Sequence, residues 1–341
     1  MSNLCTLLVC GVSMVEACRT VPEQVTYSDI VLAEGPDGEM CSIRCKVSVH
    51  NVPWGPAGGV IVYYPPNTNT WVYKGASGAP VYNENGDLVA VVRGALGRNK
   101  RAPAFHALPA SELREAWRVG RESVKHFNGR RESVDVPGEV GPGDSVVILD
   151  MWGDHVRPIS GVLTAREGEE VLALGHEIDG VGNCRYALAR APVLGFVKGA
   201  DDDVKITGVG AIIGTITHDS GRGVFGILGV QPEWVDVKCR IYGPECLEVD
   251  RTVHVVRDDR AGVLEERIAA AIWPSLHAAD ISYHVQSVDV GIALDERVIG
   301  EYGVSSKRRE DLEGRIIEVI LAEVSGSLRE TEAVSINLDV Q

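Results

Sequence analysis

The stretch Lys74-Gly75-Ala76-Ser77-Gly78-Ala79-Pro80 has the composition of a turn that exposes one hydroxyl. Gly75 and Gly78 flank Ser77 with residues that accept positive φ and close backbone approach, which two backbone N–H groups need if they are to converge on an oxyanion. A serine hydroxyl is a weak nucleophile until a base takes its proton, so Ser77 calls for a histidine that the fold brings within about 3 Å. Nine histidines compete. His176 stands out because it follows Gly175 at the end of the apolar run Leu172-Ala173-Leu174, where a strand would present it at a barrel rim. Each residue also has a plainer reading, Ser77 in a small-residue loop and His176 as a structural histidine.

The elements that must position these side chains read mostly as strands. Val81-Tyr82 and residues 88–92 are β-prone, and Asn83-Glu84-Asn85-Gly86-Asp87 between them is turn chemistry, so a hairpin follows Ser77. Residues 25–73 alternate β-prone runs (25–32, 40–50, 59–64, 70–73) with turns such as Gly35-Pro36-Asp37-Gly38, the patterning of a barrel or sandwich. A further strand is expected at 104–108, and a short helix at 112–117 with Ser111 as its N-cap. Residues 118–144 are polar, rich in Gly and Pro, and contain Arg-Glu-Ser-Val twice, which reads as a linker.

A second β-rich unit occupies 145–238, with strands expected at 145–149, 159–164, 170–174, 187–198 and 209–217. From Cys239 the texture changes to alternating strands and helices: a strand at 252–256, a helix at 263–273 stopped by Pro274, and β-rich residues at 281–294. A longer amphipathic helix at 307–324 and a closing strand at 333–340 complete a small α+β domain. The expected organisation is therefore a nucleophile-bearing β unit at 1–117, a linker at 118–144, a histidine-bearing β unit at 145–238 and an α+β domain at 239–341.

Composition narrows the function classes. The 341 residues, 45% hydrophobic and 24% charged, describe a globular chain large enough for two or three domains. A net charge of −15 argues against a nucleic-acid or anionic-membrane binder, because phosphate neutralisation needs a basic face. The one basic run, residues 118–131, lies between two β-rich regions and reads as an exposed linker. No run approaches the roughly 18 apolar residues that span a bilayer. The apolar residues 4–15 have no preceding Lys or Arg, which favours a cytoplasmic chain over a cleaved signal, with secretion as the alternative. The eight cysteines lack paired C-x-x-C spacing, which weakens a structural zinc site, and the favoured reading calls for no cofactor.

Three segments carry a resemblance to a known family: KGASGAPVYNENGDLVAVV, SGVLTAREGEEVLALGHE and IGTITHDSGRGVFGILG, with Pro142-Gly143-Asp144 as a lead-in to the second. Together they resemble the serine peptidase family of the sporulation factor SpoIVB, across about residues 20–230. The serine turn also resembles the G-D-S-G-G-P turn of trypsin-like peptidases, with Ala76 in place of the acid that receives a new N-terminus in zymogen activation. The order of segments, serine before histidine, looks like a bacterial branch of the family that lacks a PDZ domain.

The resemblance implies a trypsin-like double β-barrel followed by a small α+β domain. It also implies a narrow-specificity endopeptidase acting on a protein or peptide substrate, the chain itself included. Ser77 would be the nucleophile, His176 the general base, and the N–H groups of Gly75 and Ser77 the oxyanion donors. Asp219, in a segment where the family commonly has Asp or Asn, would orient the imidazole, with Asp179 as the runner-up.

Two alternatives use other chemistry. His155, His176, Asp179, His218 and Asp219 are ligand types that suit zinc or manganese, although no H-E-x-x-H spacing joins them. The chain could also be a non-catalytic binding or assembly module on a serine-peptidase-like body.

Overall fold

The structure, a computed structural model, describes residues 76–82, 85, 87–96, 104–125, 136, 138–198, 203–244, 246–279, 287–306, 309–328 and 331–340, and before residue 76 the backbone of six strands. It is mostly β. The chain divides into two compact units, one of Met1–Ile148, Ile159–Cys184 and Leu188–Gln231, the other of Leu149–Pro158, Arg185–Ala187 and Pro232–Gln341.

In the first unit a short pair, β1 (Leu8–Val9) and β2 (Val12–Ser13), precedes a closed barrel. The barrel strands are β3 (Thr26–Glu34), β4 (Met40–His50), β5 (Val60–Tyr64), β7 (Pro80–Tyr82), β8 (Leu88–Leu96) and β9 (Ala104–Pro109), with β6 (Tyr73–Lys74) set apart from them. Its order is β3-β4-β5-β9-β8-β7, antiparallel between neighbours. Val81, Ala90, Val91 and Val92 are fully buried, so the hairpin expected after Ser77 forms and both of its faces are covered.

A helix, α1 (Ala110–Lys125), leads from this barrel toward the next. It is sixteen residues long, against the six expected at 112–117, so the first eight residues of the expected linker are helical. Leu113, Ala116, Gly120 and Ser123 form its buried stripe. Leu113 and Ala116 share a core with Val91, Leu108, Leu172 and Phe225, and Trp117 stacks edge-on against Phe225 with ring centroids 5.7 Å apart. Gly120 lies against the same ring, where a Cβ would stand 2.2 Å from Phe225 Cγ. Arg121 reaches Glu167 and Glu170. Residues 126–135 and 137 of the expected linker lie outside the described residues.

The second closed barrel uses β10 (Ser145–Leu149), β12 (Pro158–Glu167), β13 (Glu170–Ala173), β14 (Gly182–Arg190), β17 (Ile212–Ser220) and β18 (Gly223–Leu228), in the order β10-β12-β13-β18-β17-β14. Between β10 and β12 the chain forms β11 (Met151–Gly153). The expected strand at 187–198 is two strands, β14 and β15 (Val193–Lys198), parted by Ala191-Pro192, because proline cannot donate to a ladder. β15 pairs with β16 (Asp203–Thr207), which runs parallel to β6 just before the serine turn.

In the second unit β11 joins β19 (Trp234–Tyr242), β20 (Val249–Val256), β21 (Ser287–Leu294), β22 (Arg297–Ser305) and β23 (Ala333–Val340) in a six-stranded sheet, order β11-β20-β19-β23-β21-β22. Cys239, where the sequence changes texture, falls inside β19. Two helices, α2 (Val263–Ala278) and α3 (Arg309–Val324), share one core with the sheet through Ile268, Ile272, Leu276, Leu312, Ile316 and Ile320. Pro274 was expected to stop α2 and does not. Leu276 and Ala279 beyond it are fully buried, and their burial offsets the roughly 3 kcal/mol that an interior proline costs.

Candidate active site

The serine turn is a four-residue β-turn. The Ala79 N–H donates to Ala76 O at 3.1 Å, and Gly78, the third residue, has φ 96°, the positive value a type II turn requires there. The turn is tied on both sides. Gly78 N–H donates to Val92 O in β8 at 2.7 Å, and Val162 N–H in β12 donates to Ser77 O at 2.9 Å. No side chain fits at Gly78, because a Cβ would stand 2.1 Å from Val162 O and 2.6 Å from Leu174 N. Ser77 itself is 8% exposed. Gly75, expected as an oxyanion donor beside the Ser77 N–H, lies outside the described residues.

His176 stands on a tight turn at the end of β13. Gly175 N–H donates to Ala173 O at 3.0 Å, closing a three-residue turn centred on Leu174, whose φ is 69°. This is the rare γ-turn form, costly for a leucine, and the full burial of the Leu174 side chain offsets the strain. The side chain occupies the space left by Gly161, where a Cβ would meet Leu174 Cδ2 at 2.0 Å. Leu174 N–H donates to Val162 O at 3.1 Å. One residue of β12 therefore holds both segments: the amide of Val162 carries Ser77 and its carbonyl carries Leu174, two residues before His176.

Beyond His176 the loop is pinned from β17. Asp219 is fully buried; its Oδ1 accepts from Ile178 N–H at 2.9 Å, and its Oδ2 from Asp179 and Gly180 N–H at 2.8 Å each. The pairing of β17 with β18 slips between Ile216 and His218, a bulge next to this carboxylate. Asp219 was expected to orient the imidazole; its hydrogen bonds instead hold the backbone that follows it. At the imidazole, Nδ1 lies 2.6 Å from Glu177 O. Asp179 contributes its amide to the brace, with its side chain on the exposed side.

Two neighbours carry charge into the site. Arg93, directly after Val92 in β8, donates to Glu177 Oε2 at 2.9 Å. Partial burial alone would raise the Glu177 pKa, but its own amide, Arg93 and His176 together hold the carboxyl below the usual range. His218, 8% exposed with Nδ1 3.3 Å from Asn183 Oδ1, is held toward the neutral form by burial, against a smaller opposing effect of Asp219. Neither Arg93 nor Glu177 was picked out from the sequence. The available signal was one arginine in an otherwise apolar strand, Leu-Val-Ala-Val-Val-Arg, and an acid directly after the histidine.

Of the residues proposed for a metal, His155 belongs to the other unit, and the Asp219 carboxylate is committed to amides. Among the described residues no group of three His, Cys, Asp or Glu side chains is placed to hold a metal ion. Among them, too, no helix is long and apolar enough to cross a membrane. Comparison of the chain with protein-family models, with curated proteins and with solved structures returns no match.

Proposed function

We propose that the chain is a serine endopeptidase of narrow specificity, built on a trypsin-like pair of barrels and related to the SpoIVB-type peptidases. The observation that carries this reading is the shared anchor at Val162, which joins the serine turn and the histidine turn through the main-chain N–H and C=O of one residue. In the proposed reaction Ser77 Oγ attacks the scissile carbonyl as His176 Nε2 takes its proton. The N–H groups of Gly75 and Ser77 receive the oxyanion, His176 returns the proton to the leaving amine, and water releases the acyl group from Ser77. Asp219 acts as a positioning residue through the loop it holds. No metal or other cofactor enters the scheme.

Self-cleavage belongs to the same proposal. A peptidase needs extended backbone, so within 118–144 the helical residues up to Lys125 are poor substrates and a cut is expected beyond them. One observation favours a second reading, a non-catalytic binding or assembly module: Ser77 is buried, as a purely structural turn serine would be.

The two readings separate when wild type and Ser77→Ala are incubated side by side, alone and with a peptide library, and followed by intact mass and by sequencing of new termini. The peptidase reading expects a small set of cleavage sites that survives a chelator and disappears in Ser77→Ala. Identical products from both proteins would leave the binding reading in its place.

A further inference from the structure

An imidazole that accepts a proton at Nε2 must carry its own proton on Nδ1, and something must hold that tautomer and offset the charge the ring acquires. The atom at Nδ1 is Glu177 O, at 2.6 Å. A carbonyl oxygen only accepts, so Nδ1 is the donor, and in the neutral ring Nε2 keeps its lone pair. The side chain of the same residue interacts electrostatically with the His176 ring, and Arg93 grips it at 2.9 Å. Arg93 follows Val92, whose carbonyl holds the Gly78 N–H of the serine turn. Adjacent residues of β8 thus fix the serine turn by main chain and the histidine loop by side chain.

We infer that Glu177, steadied by Arg93, takes the positioning part that an aspartate plays in a Ser-His-Asp triad. Its main-chain oxygen fixes the tautomer of His176, and its carboxylate offsets the imidazolium charge. The inference rests on the reading of His176 as the base for Ser77. The Glu177 carboxyl, held below the usual carboxylate range, keeps its charge through neutral pH, where a histidine base works. Arg93 and Glu177 are only partly exposed, at 29% and 42% of their side chains, so solvent weakens the pair without abolishing it.

The test uses the full chain as wild type, Glu177→Gln, Arg93→Ala and Arg93→Lys, with Arg93→Gln as a substitute if Arg93→Ala does not fold. Three quantities are read: the rate at which a fluorophosphonate acylates Ser77, the ¹⁵N shifts of the His176 ring, and the thermal midpoint. Glu177→Gln should slow acylation about tenfold, with the Nδ1–H tautomer kept because the carbonyl remains. Arg93→Ala should slow acylation and mix the tautomers, and Arg93→Lys should recover part of both, while the thermal midpoint stays near that of wild type. Acylation at the wild-type rate in Glu177→Gln and Arg93→Ala overturns the inference and leaves the peptidase reading standing. If wild-type Ser77 is not acylated, the peptidase reading fails and the inference falls with it.

Discussion

Asp219, on β17, and Asp179, on the loop that Asp219 pins, differ in what they can be replaced by. The Asp219 carboxylate accepts three amides while fully buried, and an asparagine there would turn one acceptor oxygen into a donor facing N–H groups. Asp219→Asn should cost about 1–3 kcal/mol of unfolding free energy and slow acylation of Ser77, because the backbone after His176 loses its brace. Asp179 brings its amide to the same carboxylate, and Asp179→Asn leaves that amide in place. Denaturant titration and probe kinetics on the two variants check this, and the reverse pattern would move the role to Asp179. The sequence displayed the potential nucleophile and base because glycines flank Ser77 and precede His176. It hid the partners, since Asp219 meets main-chain groups 39 to 41 residues away and Val162 acts through its main chain alone.

At the scale of elements, strands were legible where burial is one-sided or complete, as in Ser145–Leu149 and Ala333–Val340. The C-terminal half of α1 was not. Its inward stripe passes from Leu113 and Ala116 to Gly120 and Ser123, residues too small or polar to register as hydrophobic periodicity, and the charges around them look like linker. The stripe is small because Phe225 and Thr217 approach it closely, Ser123 Oγ lying 3.0 Å from Thr217 Oγ1. Gly120→Val should therefore destabilise the first unit by about 1–3 kcal/mol, since the new side chain must displace the Phe225 ring. Gly120→Ala should cost less. If Gly120→Val leaves the denaturant midpoint unchanged, α1 is not packed as described.

For the whole molecule, the first unit carries the candidate site between segments contributed by two closed barrels, and the second is a sheet with two helices. The α+β character of the second unit was visible in the sequence, whereas the continuation of α2 past Pro274 depended on the core that Leu276 and Ala279 enter. The net charge of −15 sets no specificity by itself, so the account depends on whether the serine is activated. The most direct measurement is fluorophosphonate acylation of the full-length protein, with the modified residue mapped by mass spectrometry in wild type and in His176→Ala. The account predicts a single adduct on Ser77 that forms at least a hundredfold more slowly in His176→Ala, on the scale of a lost general base. No adduct on Ser77, or an adduct that forms equally fast without His176, would contradict it.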